Sequence, residues 1–353
     1  VSAKLTVACA FLVYWEVITR LLYASILVLP LAAACTNPPK SGGATHAGVT
    51  ATDTNAATDA KNPGPPGEPI VVARFGNVEW RPPTEAEIPS DSLGSSIRRG
   101  LALLRHTTDS LPAYAPGNIN CTNCHLQDGR ALYGAPLAGS HARYPKYIPR
   151  TGAVVTLADR VNYCFTRSLA GNRLPSDSRE MADILSYLAW ISRGIPIGAK
   201  VPGSDGMPRM KEILVGDVAR GASLYGAKCQ VCHQENGGGN AIVPALWGQK
   251  SYAVGASMAR LERAATFISH NMPLGQGGSL TAQEAFDLSA YVNSHARPDL
   301  PGKEKDFPFG GAPKDLPYST TSGHKAVNAP PLLPRRTPAR ALVPAPFRAG
   351  INP

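Results

Sequence analysis

Two short motifs, CTNCH (121–125) and CQVCH (229–233), constrain this 353-residue chain more than any other feature. Two cysteines separated by two residues can add to the two vinyl groups of one haem. The histidine that follows is then set against the iron as proximal ligand. A zinc site would need four ligands, and neither copy has a second cysteine pair beside it. A thiol redox pair would leave both histidines unexplained. The motifs therefore predict two covalently bound haem c groups, one on Cys121, Cys124 and His125, the other on Cys229, Cys232 and His233.

The surroundings of the motifs read as divergent copies of one helical unit. Arg99-Gly100 and Arg220-Gly221 open a helix ahead of each motif. Each copy closes on an amphipathic helix with a tyrosine, MADILSYLAWIS (181–192) and AQEAFDLSAYVNS (282–294). In the first, Ile184, Leu185, Leu188 and Ile191 recur at helical spacing. No alternating strand pattern stands out, so the predicted fold is mostly α: two cytochrome c-like domains in tandem, residues 69–200 and 201–300. The turn-rich PGSDGMP (202–208) separates them.

Appendages account for the high glycine and proline content, 34 and 33 residues. Residues 1–34 read as a signal segment: a positive flank at Arg20, an apolar run too short for a comfortable membrane span, then small residues before Cys35. LAAAC fits both plain cleavage and a lipid anchor through Cys35. Export to the periplasm is the expectation, since the thioethers form outside the cytoplasm. Residues 35–68 lack apolar periodicity and read as a flexible tether. The extension 301–353 carries seven prolines and no acidic residue from 319 onward, and disorder is expected from about there. That tail holds five of the ten net positive charges, so the charge does not point to nucleic acid.

Each iron needs a sixth ligand. Met272, in HNMPLG ahead of the last helix, is the expected one for the second haem, with His270 and Lys250 as nearby alternatives. It lies thirty-nine residues after His233, and the same interval from His125 ends on Cys164. His141 and Met181 compete for that role. Cys164 has no disulfide partner once the haem cysteines, Cys9 and Cys35 are set aside. Arg150, Arg160 and Arg167 surround it in sequence, and cations lower a thiol's pKa. Arg160, one helical turn before Cys164, would share its face. A thiolate ligand lowers a haem potential and a methionine raises it, so electrons would run from the first haem to the second.

The chain resembles the dihaem thiosulfate dehydrogenases over roughly residues 70–318. The resemblance rests on NINCTNCHLQDGR (118–130), YPKYIPRTGAVVTLADRVNYCFTRSLAG (144–171), the second haem motif, NMPLG and ARPDLPGKEKDFP. It implies oxidation of two thiosulfates to tetrathionate, with Cys164 as distal ligand and catalytic centre. Arg150, Arg160 and Ser168 would line the substrate site, with Arg167 as a further candidate beside them. It also implies an external acceptor such as a soluble cytochrome or a high-potential iron–sulfur protein. Tetrathionate reduction, sulfur transfer and plain electron carriage are the competing activities.

Overall fold

A computed structural model describes residues 73–75, 78–201 and 210–335. The signal segment, Cys9, Cys35, the tether and the break at 202–208 lie outside the described residues. All described residues belong to one unit, Thr58–Pro353. Within it, two helical lobes follow one another along the chain.

In the first lobe, helix α1 (Ser92–Arg105) crosses α3 (Arg179–Ile191). Asp91 caps α1 by accepting the Gly94 N–H at 2.8 Å. Ile97, Leu101 and Leu104 recur on one face of α1 and are buried against Ile184, Leu188 and Ile191 of α3. Leu185 lies at the edge of this core, partly buried. Gly100 sets the approach of the two helices. A Cβ there would lie 2.1 Å from the Asp183 carbonyl oxygen and 2.9 Å from Tyr187 Cβ. Arg99 Nε and Nη2 fork onto the Asp183 carboxylate at 2.7 and 2.8 Å.

The second lobe repeats the device. Helix α4 (Val218–Lys228) crosses α6 (Ala282–Ser294), and α5 (Leu261–Asn271) packs beside them. A Cβ at Gly221 would lie 2.1 Å from the Asp287 carbonyl oxygen and 2.7 Å from Tyr291 Cβ. Arg220 forks onto Asp287 at 2.8 and 3.0 Å. The Arg-Gly pairs and the tyrosine helices noted in the sequence are thus the two halves of one crossing, built twice.

The described strands are short antiparallel pairs, β1 (Ala73–Phe75) with β2 (Val78–Trp80) and β3 (Lys146–Ile148) with β4 (Ala153–Val155), and one parallel pair. That pair corrects the expectation of disorder from residue 319. β5 (Arg297–Pro298) pairs with β6 (Leu332–Leu333), so the extension is ordered through Arg335. The Arg297 and Asp299 N–H groups donate to the carbonyls of Pro331 and Leu333 at 3.1 and 2.9 Å. The rest of the tail lies outside the described residues. Composition misled here because proline removes a donor and not an acceptor, so a Pro-rich edge strand can pair through its carbonyls. Arg335 then reaches the first lobe, donating to the Ala170 carbonyl and Asn172 Oδ1 at 3.2 and 3.3 Å.

Candidate functional site

Each Cys-x-x-Cys-His motif begins on a single helical turn, Cys121–Cys124 in one lobe and Gln230–His233 in the other. His125 donates from Nδ1 to the Ala135 carbonyl, and His233 donates from Nδ1 to the Pro244 carbonyl at 3.1 Å. A carbonyl only accepts, so the proton sits on Nδ1 in both rings and Nε2 is left for a metal. Two thiols a turn apart and an oriented imidazole in each lobe fit a covalent haem.

Cys164 faces His125. Helix α2 (Leu157–Tyr163) delivers it, capped by Thr156, whose hydroxyl accepts the Asp159 N–H at 3.1 Å. At Cys164 the helix opens into a wide π-type turn, Cys164–Ser168, closed by the Leu169 N–H on the Cys164 carbonyl at 2.9 Å. The Cys164 sulfur lies in hydrogen-bonding reach of His125. The competing ligands are placed elsewhere: Met181 is 0% exposed within the helical core, and His141 is exposed.

Arg160 donates from Nη1 to Cys164 Sγ at 3.1 Å, one turn along the same face. Burial pushes the Cys164 thiol up, but Arg160 and His125 outweigh it and hold the pKa at about 6. With Cys121 and Cys124 taken up as the haem-attachment pair, the thiolate of this pocket is Cys164.

Arg150 and Arg167 complete a cluster of cations. Arg150 is half-buried, donates from Nη1 to the Gly255 carbonyl at 3.0 Å, and sits over the Phe307 ring at 5.6 Å. Burial, then the neighbouring Arg167 and Arg160, lower its pKa, with Tyr318 and Asp306 opposing. Arg167 is held differently. Its Nη1 and Nη2 fork onto Asp306 at 2.6 and 2.5 Å. A carboxylate 139 residues away thus already fills the Arg167 fork. Tyr318 donates its hydroxyl to Asp306 Oδ2 at 2.7 Å. Ser168 lies on the wide turn, its carbonyl accepting the Ala253 N–H at 3.2 Å.

Sequence reasoning missed Tyr144, Asp306, Phe307 and Tyr318. Tyr144 hydrogen-bonds Arg160 and shares the field of Cys164. Tyr144, Asp306 and Phe307 lie inside the quoted blocks YPKYIPR and ARPDLPGKEKDFP, but nothing in their spacing ties them to Cys164.

In the second lobe Met272 follows the last residue of α5, half-buried, its N–H on the Ile268 carbonyl at 2.9 Å. The preceding Asn271 donates to the Tyr133 carbonyl of the first lobe at 3.0 Å. The His270 ring stacks on Tyr133, 5.4 Å between centroids, with Nδ1 donating to the Thr266 carbonyl.

Comparison with known proteins agrees with this layout. The SoxA/TsdA cytochrome c domain matches residues 113–197, and cytochrome c oxidase, cbb3-type, subunit III matches residues 216–292. A thiosulfate dehydrogenase of Psychrobacter arcticus is 41% identical over 247 residues, covering 68% of this chain and 75% of that protein. This chain belongs to the thiosulfate dehydrogenase family. The thiosulfate dehydrogenase of Allochromatium vinosum is 38% identical over 226 residues, 61% of this chain and 83% of that one. Among solved structures, thiosulfate dehydrogenase TsdBA from Marichromatium purpuratum superposes with a TM-score of 0.61 at 30% identity. That match covers 70% of this chain and 57% of the other. As a member of this family, the chain consists of two cytochrome c domains in tandem, each carrying covalently bound haem c.

Proposed function

We propose that the chain joins two thiosulfates into tetrathionate at Cys164 and passes two electrons to an external acceptor. The observation that carries this reading is the Arg160 guanidinium on the Cys164 sulfur at 3.1 Å, inside a half-buried group of arginines. Thiosulfate is a dianion, and two of them at about 4 Å repel by roughly 4 kcal/mol even at water's dielectric. Arg150 and Arg160 offset that repulsion where it arises, and forked N–H groups suit sulfonate oxygens.

The bound haems supply one-electron storage and an exit path. The chain's own residues do the rest. Arg160 holds the Cys164 sulfur as thiolate. That sulfur and the outer sulfur of the first thiosulfate form an S–S bond, and two electrons leave for the acceptor. The outer sulfur of the second thiosulfate then attacks the outer sulfur of this adduct. The bond to Cys164 breaks, tetrathionate leaves, and the Cys164 thiolate returns with its charge unchanged. Arg150 and the Ser168 turn position the sulfonates. Met272 is the proposed sixth ligand on the second haem, and a soluble cytochrome or a high-potential iron–sulfur protein is the proposed acceptor. A periplasmic location, with Cys35 as a lipid anchor, suits both.

Anaerobic mixing of the oxidised protein with thiosulfate tests the reading. Haem reduction with stoichiometric tetrathionate is expected, and Cys164→Ala should stay oxidised. A native protein that ignores thiosulfate but, once reduced, is oxidised by tetrathionate would establish the reverse direction. No response to either would leave an electron carrier.

A further inference from the structure

The Arg160 guanidinium serves two partners. It donates to Cys164 Sγ at 3.1 Å, and it hydrogen-bonds the hydroxyl of Tyr144. A hairpin brings these groups together. β3 pairs with β4 so that Lys146 lies opposite Val155. Thr156, next along the chain, caps α2. Tyr144, just ahead of β3, therefore lies beside the start of the helix that carries Arg160 and delivers Cys164. Arg150 sits in the turn of the same hairpin, between Ile148 and Ala153. The Lys146 ammonium stands over the half-buried Tyr144 ring, 5.5 Å from its centroid.

The bond between Arg160 and Tyr144 has only one possible direction. A guanidinium carries donors and no acceptor, so the phenol oxygen accepts. The hydroxyl hydrogen of Tyr144 is then left to donate elsewhere. Burial pushes the phenol up, with Arg160 and then Arg143 opposing, so that hydrogen stays in place at neutral pH. Among the described residues, no second hydrogen-bond partner takes it. The Cys164 sulfur lies in the field of the same phenol. The spare donor is thus held where an anion joined to that sulfur would lie.

With thiosulfate as the substrate, the reading on which this inference rests, we propose that Tyr144 is a substrate-binding residue. Its oxygen fixes Arg160, and its hydroxyl donates to a sulfonate oxygen. A sulfonate has several oxygens around one sulfur, so a single anion can take both the charged donor of Arg160 and the neutral donor of Tyr144. A spherical anion can satisfy only the charge. Arg160 therefore supplies attraction, and Tyr144 supplies direction and selects the sulfonate group.

The test uses the holoprotein with both haems loaded. Thiosulfate binding is measured by anaerobic calorimetry on the fully reduced protein, whose haems have no room for its electrons. Turnover is measured on the same samples. Tyr144→Phe removes one hydroxyl and keeps the ring. Its Kd for thiosulfate should rise about ten-fold, because a hydrogen bond to a charged group is lost. KM should rise in proportion, kcat should change by less than about three-fold, and Tm should hold. The loss should persist at high salt, since a hydroxyl carries no charge to screen. Native Kd in Tyr144→Phe, beside a native protein that oxidises thiosulfate, would overturn this inference alone. A loss of affinity that vanishes at high salt would overturn the direct contact and leave Tyr144 acting only through Arg160. A native protein that neither binds nor oxidises thiosulfate would defeat the substrate reading, and this inference with it. If Tyr144→Phe does not assemble, Tyr144→Leu is measured instead, and native Kd there overturns the inference equally.

Discussion

Replacing Asp306 by asparagine should weaken the fold and tighten substrate binding at once. Asp306 is 4% exposed in its side chain and Arg167 is 16% exposed, so their fork is a buried ion pair. Removing one partner of such a pair costs about 3–5 kcal/mol, because the remaining charge is left uncompensated. For a domain of this size each kcal/mol is roughly 2–4 °C in Tm, so a fall near 10 °C is expected. Arg167 also sits in the field of Arg150, and losing the carboxylate adds one positive charge to the substrate cluster. A dianion about 8 Å from that added charge gains roughly 1 kcal/mol even at water's dielectric, or about five-fold in affinity. Thermal unfolding followed by circular dichroism gives the first quantity. Steady-state turnover with thiosulfate at low and high salt gives the second, and the KM advantage should shrink as salt rises. A merely damaged site raises KM. A stable variant with unchanged KM would refute the reasoning, and so would an unstable one with raised KM at low salt.

The remaining expectations concern the thiolate, its cation, the helix crossings and the strap. Cys164→Ala should lower kcat by roughly 10³-fold or more while both haems remain attached, checked by turnover and haem content. The Cys164 thiol is held at about 6 against an ordinary 9. Its contribution to stability is therefore fully present above the ordinary value and lost as pH falls through about 6. Thiosulfate oxidation should fall along the same acid limb, and Arg160→Gln should move that limb upward, since burial then acts with less opposition. Gly100→Ala and Gly221→Ala should each cost about 3 kcal/mol or more by thermal unfolding, because the added carbon meets backbone 2.1 Å away in both cases. Arg335→Ala removes bonds of 3.2 and 3.3 Å at a partly buried site and should cost no more than about 1 kcal/mol.

Local chemistry was legible in the sequence and remote partnership was not. The haem motifs are five contiguous residues, and Arg160 and Cys164 lie one turn apart, so spacing alone brings them together. The tandem architecture could be read because Arg-Gly and a tyrosine helix recur with each motif. Asp287 and Asp183, the carboxylates that complete those crossings, are four residues before the tyrosines but carry no signal of their own in a single sequence. Asp306 is harder still: its partner Arg167 is 139 residues away, and only the folded chain joins them. The tail misled for a different reason. Proline-rich, acid-free composition describes a chain without a core of its own, and β6 is held instead through backbone bonds to its neighbour.

The closing contact of Asp306 with Arg167 has a consequence for how this protein can be divided. The cysteine and all three of its arginines are translated early, yet the carboxylate and the tyrosine that fix Arg167 arrive after the whole second lobe. A first lobe expressed alone would keep the haem motif and the thiolate and lack the finished cation cluster. Grafting it onto a foreign electron-transfer module would fail in the same way unless the segment through Tyr318 travelled with it. The proposed catalytic unit is thus discontinuous in the gene: one lobe, plus a short ribbon encoded after the second lobe.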